Sequence, residues 1–155
     1  MKGSLFMEAA LSVGHIGINV TDLTRSIAFY QDIFDLEVLM QSNPPRKPYA
    51  FLGRGGKLML TLWEQSTDRF NSTRPGLHHL AFSVPSIDDV KRAEAKIRKY
   101  DVRLYHDGIA KHGEDEHSGG VFFEDPDGTR LEVFAPTGAD GYVAPTRGAL
   151  TCGFF

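Results

Sequence analysis

The chain has 155 residues, 41% hydrophobic and 24% charged, with a formal net charge of −3; this suits one globular domain that folds without staples and gives nucleic acid no electrostatic foothold. Its single cysteine, Cys152, cannot form an internal disulfide, so nothing points to an oxidising compartment. No apolar run approaches a membrane span, and Glu8 breaks the N-terminal apolar stretch too early for a signal peptide, so a cytoplasmic protein with neither membrane nor nucleic-acid partners is expected.

Residues 1–12 read as a flexible leader. Residues 15–20 (HIGINV) form a β-prone strand, and Thr21 or Asp22 caps a helix running through residues 26–34. Strands at 36–41, 49–52 and 58–63 follow, separated by the turn chemistry of Asn43-Pro44-Pro45 and Gly53-Arg54-Gly55-Gly56. A polar linker over 64–76 contains Asn71-Ser72-Thr73, an accidental match to a glycosylation acceptor in a chain with no secretory signal.

The pattern then restarts. Residues 79–84 (HLAFSV) repeat the first strand, Ser86 caps a second helix extending to about residue 100, and Val90, Ala93, Ile97 and Tyr100 recur on one helical face. Strands at 102–106, 121–124 and 131–135 close the unit, the last two joined by Asp125-Pro126-Asp127-Gly128. Gly119-Gly120 and Asp127-Gly128 read as turns, not phosphate cradles. A unit repeated once at half-chain offset is a duplication, not a solenoid. The expected fold is α+β: two βαβββ modules (13–63 and 77–136) forming an open, cupped sheet with helices on its outer face, then a Gly- and Ala-rich tail over 137–155 that is either disordered or docks its two terminal phenylalanines.

Side chains alternate across a strand. Ile16, Ile18 and Val20 face the first helix, leaving His15 with Gly17 and Asn19 on the other face. The same count puts His79 with Ala81 and Ser83, and Glu132 with Arg130 and Phe134. Two imidazoles and a carboxylate suit a divalent ion such as Fe²⁺, Mn²⁺, Zn²⁺, Ni²⁺ or Co²⁺, and three protein ligands leave positions open for substrate.

The segments HIGINVTDLTRSIAFYQDIF, HHLAFSV and FFEDPDGTRLEVF resemble the vicinal-oxygen-chelate superfamily over roughly residues 13–136. That superfamily includes glyoxalases, extradiol dioxygenases, fosfomycin-modifying enzymes, methylmalonyl-CoA epimerases and bleomycin-binding proteins. The resemblance implies a metal centre on His15, His79 and Glu132, a small-molecule substrate and a homodimer. His78, offset by one from His79, is expected to face the opposite way.

Aligning Gly56 with Gly128 sets Leu60 opposite Glu132. Leu60 binds no metal; with Leu58 and Leu62 it reads as an apolar wall of the substrate site, which favours three-ligand members over glyoxalase I and the epimerases. Arg130 and Phe134 read as further substrate contacts, Arg130 through its planar fork. His112 is the candidate acid–base residue, while His106 and His117 read as surface groups and Tyr49, Phe51 and Trp63 as packing. Extradiol ring cleavage is marginally favoured, although the strand at 121–123 lacks the tyrosine that dioxygenases carry there. The alternatives are a metal-free drug or natural-product binder and a fosfomycin-modifying, isomerase or lyase enzyme.

Overall fold

The computed structural model describes residues 10–42, 45, 47–153 and 155. Its elements are β1 (Ile16–Val20), α1 (Leu23–Phe34), β2 (Glu37–Ser42), β3 (Tyr49–Arg54), β4 (Lys57–Glu64), β5 (Leu80–Ser83), α2 (Ile87–Ile97), β6 (Ala110–Lys111), β7 (Gly119–Glu124) and β8 (Arg130–Ala135). Residues 1–9 of the expected leader, Asn43 and Pro44 of the first turn, and Phe154 of the tail lie outside the described residues. Two open four-stranded sheets form, ordered β1-β4-β3-β2 and β5-β8-β7-β6. In each, the first strand pairs parallel with the last and the others pair antiparallel. This is an α+β fold of two βαβββ modules. Among the described residues, no helix is long and apolar enough to cross a membrane.

Local chemistry sets the helix limits. Asp22 caps α1 by accepting a hydrogen bond from Arg25 N at 2.9 Å. At its other end Asp35 turns into the left-handed region with φ 51°, which aspartate tolerates better than most residues. Lys96 of α2 donates to Asp32 O at 2.6 Å and to Asp35 Oδ1 at 2.8 Å, placing a cation where the dipole of α1 is negative. Ser86 and Asp89 form a reciprocal capping box on α2.

One core serves both modules. Ile18, Val20, Leu60 and Leu62 of the first sheet, Leu80, Val121, Leu131 and Val133 of the second, and the apolar faces of both helices belong to a single buried cluster. Aromatic contacts cross the module boundary: Phe34 lies 4.1 Å from Phe82 and Phe29 lies 6.3 Å from Phe123, centroid to centroid. The other face of each sheet is therefore turned away from the shared core.

A buried polar clamp joins the modules. Asp125 Oδ1 accepts from Asp127 N (2.9 Å) and Thr129 N (2.8 Å), while its Oδ2 accepts from the Tyr30 hydroxyl of α1 at 2.8 Å. Asp127 accepts from Thr21 N at 2.9 Å and from Arg25 at 2.6 Å. The Asp-Pro-Asp-Gly turn is thus the seat of the β1–α1 junction as well as a hairpin.

Two expectations need correction. The strand expected at 102–106 reduces to one bridge, Leu104 to Phe123. His106, Asp107 and Gly108 take φ of 57°, 54° and 134°, a turn that ends extension, and the short β6 forms only beyond it. Gly119 and Gly120 are the first residues of β7, not a turn. A Cβ on Gly119 would lie 2.7 Å from Ala139 of the tail, a close approach that only glycine permits.

Candidate functional site

β8 carries Glu132 on the outward face of the second sheet, paired with Ala81 of β5 and Phe122 of β7. Glu132 is only 2% exposed, so its carboxylate needs partners. His79 Nε2 lies 3.5 Å from Oε2, and His112 Nε2 lies 2.6 Å from Oε1. The second nitrogen of His112 meets Ser118 Oγ at 2.8 Å, so both ring nitrogens are engaged. His79 Nδ1 meets His78 Nδ1 at 2.8 Å, which turns Nε2 toward Glu132. Burial pushes the His79 pKa below its ordinary value, with Glu132 pulling the other way. A neutral imidazole is the form that binds a metal ion.

His78 does not face away from His79 as expected. Both precede the first paired residue of β5, Leu80, so strand alternation does not govern them. Phe134 shares the outward face, with its ring 5.5 Å from His112. Arg130 lies over the ring of Phe155 at 5.6 Å.

His15 stands apart. It is exposed, just ahead of β1, and has no hydrogen bond or ion pair to the His79–Glu132 group. Among the described residues, no three His, Cys, Asp or Glu side chains are gathered as a metal centre.

The register of β4 corrects the reading of Leu60. Gly53 pairs with Leu58 and Leu52 with Leu60, so Met59 is an extra residue in β4. Beyond this bulge Leu60 and Leu62 point into the core, and Leu60 is 1% exposed. They form no wall of a substrate site. Gly17 pairs with Thr61 where Ala81 pairs with Glu132, so Thr61 occupies the position that repeats Glu132. Its hydroxyl accepts from Trp63 Nε1 at 2.9 Å. Trp63, Tyr49 and Phe51 pack on one another at 5.1–6.1 Å, half-buried on the sheet face that Gly17 and Thr61 share.

The tail folds back over the second sheet. Thr151 N donates to His112 O and Thr151 Oγ1 to Lys111 O, both at 2.7 Å, and Lys111 N donates to Val143 O at 3.0 Å. Phe155, 5% exposed, lies 5.4 Å from His79, 5.2 Å from Tyr105 and 4.8 Å from Phe122. Cys152 is held protonated by burial and then by the charge of Glu132, an inert thiol at the rim. His117 is at the surface, 2.6 Å from Asp140. His106 is half-buried instead, edge-on to Phe122 at 5.6 Å, and burial lowers its pKa. Nothing local in the sequence singles out Ser118 or Tyr105, which reach the site through long-range packing, whereas Phe155 docks as one of the two readings of the tail allowed.

The chain belongs to the glyoxalase/bleomycin resistance protein/dioxygenase superfamily, whose family model matches residues 12–133. A metallothiol transferase FosB from Lysinibacillus sphaericus is 30% identical over 126 residues, 81% of this chain and 83% of that protein. The crystal structure of a glyoxylase/bleomycin resistance protein/dioxygenase domain from Frankia sp. EAN1pec superposes with a TM-score of 0.69 at 27% identity, covering 83% of this chain and 93% of that one. A fosfomycin resistance protein FosX from Listeria monocytogenes, complexed with Mn(II) and sulfate, shares the fold with a TM-score of 0.60 at 22% identity, covering 87% and 98%.

Proposed function

We propose that this protein is a divalent-metal-dependent enzyme acting on a small substrate that presents two neighbouring oxygens. Its metal would be held by His79 and Glu132 of one copy and His15 of a second. The observation that carries this reading is the buried Glu132 carboxylate, with the Nε2 of His79 at 3.5 Å and the opposite nitrogen of that ring occupied by His78. One carboxylate oxygen and imidazole nitrogens are a donor set that fits a first-row divalent ion. Bound there, such an ion supplies Lewis acidity to the substrate oxygens.

The chain's own residues do the rest. His112 and Ser118 fix the Glu132 carboxylate from behind. Phe155 excludes water beside His79 and Phe134 beside His112, and Arg130 offers a cation to an anionic substrate. The engagement of both His112 nitrogens argues against extradiol ring cleavage, which needs an acid–base histidine free to reach substrate. Group transfer, isomerisation or lyase chemistry keeps its support, and the likeness to FosB favours group transfer. A second reading, a metal-free binder of small molecules, draws on Phe155 closing over His79.

Metal analysis after reconstitution separates the two. The enzyme reading expects about one ion per chain and, for His79→Ala, a loss of affinity beyond the roughly 10- to 100-fold that losing a ligand's hydrogen-bond partner costs. His112→Ala should fall within that smaller range. Wild-type protein that takes up no metal leaves only the binder.

A further inference from the structure

Beside the candidate metal centre lies a small polar cavity of about 170 Å³, lined by Arg69, Ser72, Arg103, Tyr105, Glu124 and Arg130 among others. Its three arginines come from distant segments: the linker, the stretch after α2, and the start of β8. They face a single carboxylate. Arg69 and Arg103 approach Glu124 only loosely, at 3.4 and 4.0 Å, while the Tyr105 hydroxyl takes the short contact at 2.6 Å. Arg103 stacks over the Tyr105 ring at 4.4 Å. Arg130 takes part in no ion pair among the described residues, its guanidinium lying over Phe155 instead.

Three guanidinium groups against one carboxylate leave about two positive charges unmatched around a space larger than the roughly 30 Å³ of one water molecule. We propose that Arg69, Arg103 and Arg130 form a seat for a doubly charged tetrahedral oxyanion, the phosphate or phosphoryl group of a small ligand. The guanidinium fork matches such oxygens in pairs, and polar walls select a charged end over an apolar one. The Phe155 ring stands between this seat and the proposed centre, 5.6 Å from the guanidinium of Arg130 and 5.4 Å from the His79 ring. Resting on the proposed function, the seat holds the anionic end of a substrate whose other end reaches Glu132 past that ring.

Calorimetric titration of the full chain, stripped of metal, with inorganic phosphate tests the seat without invoking the metal. Wild-type protein should bind phosphate, and more weakly as salt rises. Arg69→Ala and Arg103→Ala should each weaken binding about tenfold, the scale of one charge-assisted hydrogen bond. Glu124→Gln keeps an acceptor for Tyr105 and removes the competing charge, so it should tighten binding; a merely structural network would not respond in that direction. Phenyl phosphate binding more tightly than inorganic phosphate assigns the anion to a larger ligand, and the reverse order assigns it to the free ion. No heat at millimolar phosphate, or equal affinity in wild type and both arginine variants, overturns the proposal. Either result leaves the His79→Ala metal test standing, and failure of that test leaves phosphate binding to be judged separately.

Discussion

A tyrosine hydroxyl buried against a carboxylate governs how this fold meets alkali. Tyr30 is fully buried and donates to Asp125 Oδ2 at 2.8 Å. Burial first, and the charge of Asp125 second, push its pKa well above the ordinary 10.0. In the unfolded chain the same hydroxyl ionises near pH 10. The native state then keeps a proton that the unfolded state has lost, so this stabilising contribution is whole below about pH 10 and declines above it. The slope approaches about 1.4 kcal/mol per pH unit. Tyr30→Phe keeps the ring and leaves Asp125 the amides of Asp127 and Thr129. It should cost about 1–3 kcal/mol at neutral pH, yet lose stability less steeply above pH 10. Urea unfolding across that range measures both, and parallel slopes for variant and wild type would refute the account.

At the scale of elements, the fold was legible wherever periodicity met a cap. Ile16, Ile18 and Val20 gave the buried face of β1, and Ser86 gave the start of α2. Legibility failed where backbone geometry departed from simple counting. The hairpin glycines are not equivalent anchors: β3 and β4 close tightly and then absorb Met59 as a bulge, whereas five residues separate β7 from β8. One inserted residue exchanges the faces of everything beyond it, which moved Leu60 from an expected substrate wall into the core. Leu60→Ala should therefore cost about 2–5 kcal/mol by cavity formation, with metal affinity unchanged. Denaturant unfolding and metal titration of the same variant check the pair of outcomes; little destabilisation together with weaker ligand binding would restore Leu60 to the site. The tail was half legible. Its composition allowed either loose chain or docked phenylalanines, and contacts with Lys111, His112 and Phe122 decide for docking, with Phe155 held over the site.

For the whole molecule, alternation along a strand tells which side chains share a face, but not where two faces stand relative to each other. Duplication set His15 and His79 in matching positions, and the shared core turns both sheet faces outward, with His15 exposed and Glu132 buried beneath the tail. A centre using both therefore needs two copies, the first sheet of each laid on the second sheet of its partner, and twofold symmetry makes two such sites per pair. Subunit mixing tests this directly. His15→Ala and Glu132→Ala chains should each lose tight metal binding when assembled alone. In a mixed pair, isolated through different affinity tags, one site collects both defects and the other none, so tight binding returns at about half the wild-type content per chain. If all three ligands came from one chain, every site in the mixed pair would stay broken. A wild-type protein that is monomeric by light scattering yet binds metal tightly would remove the need for a second copy altogether.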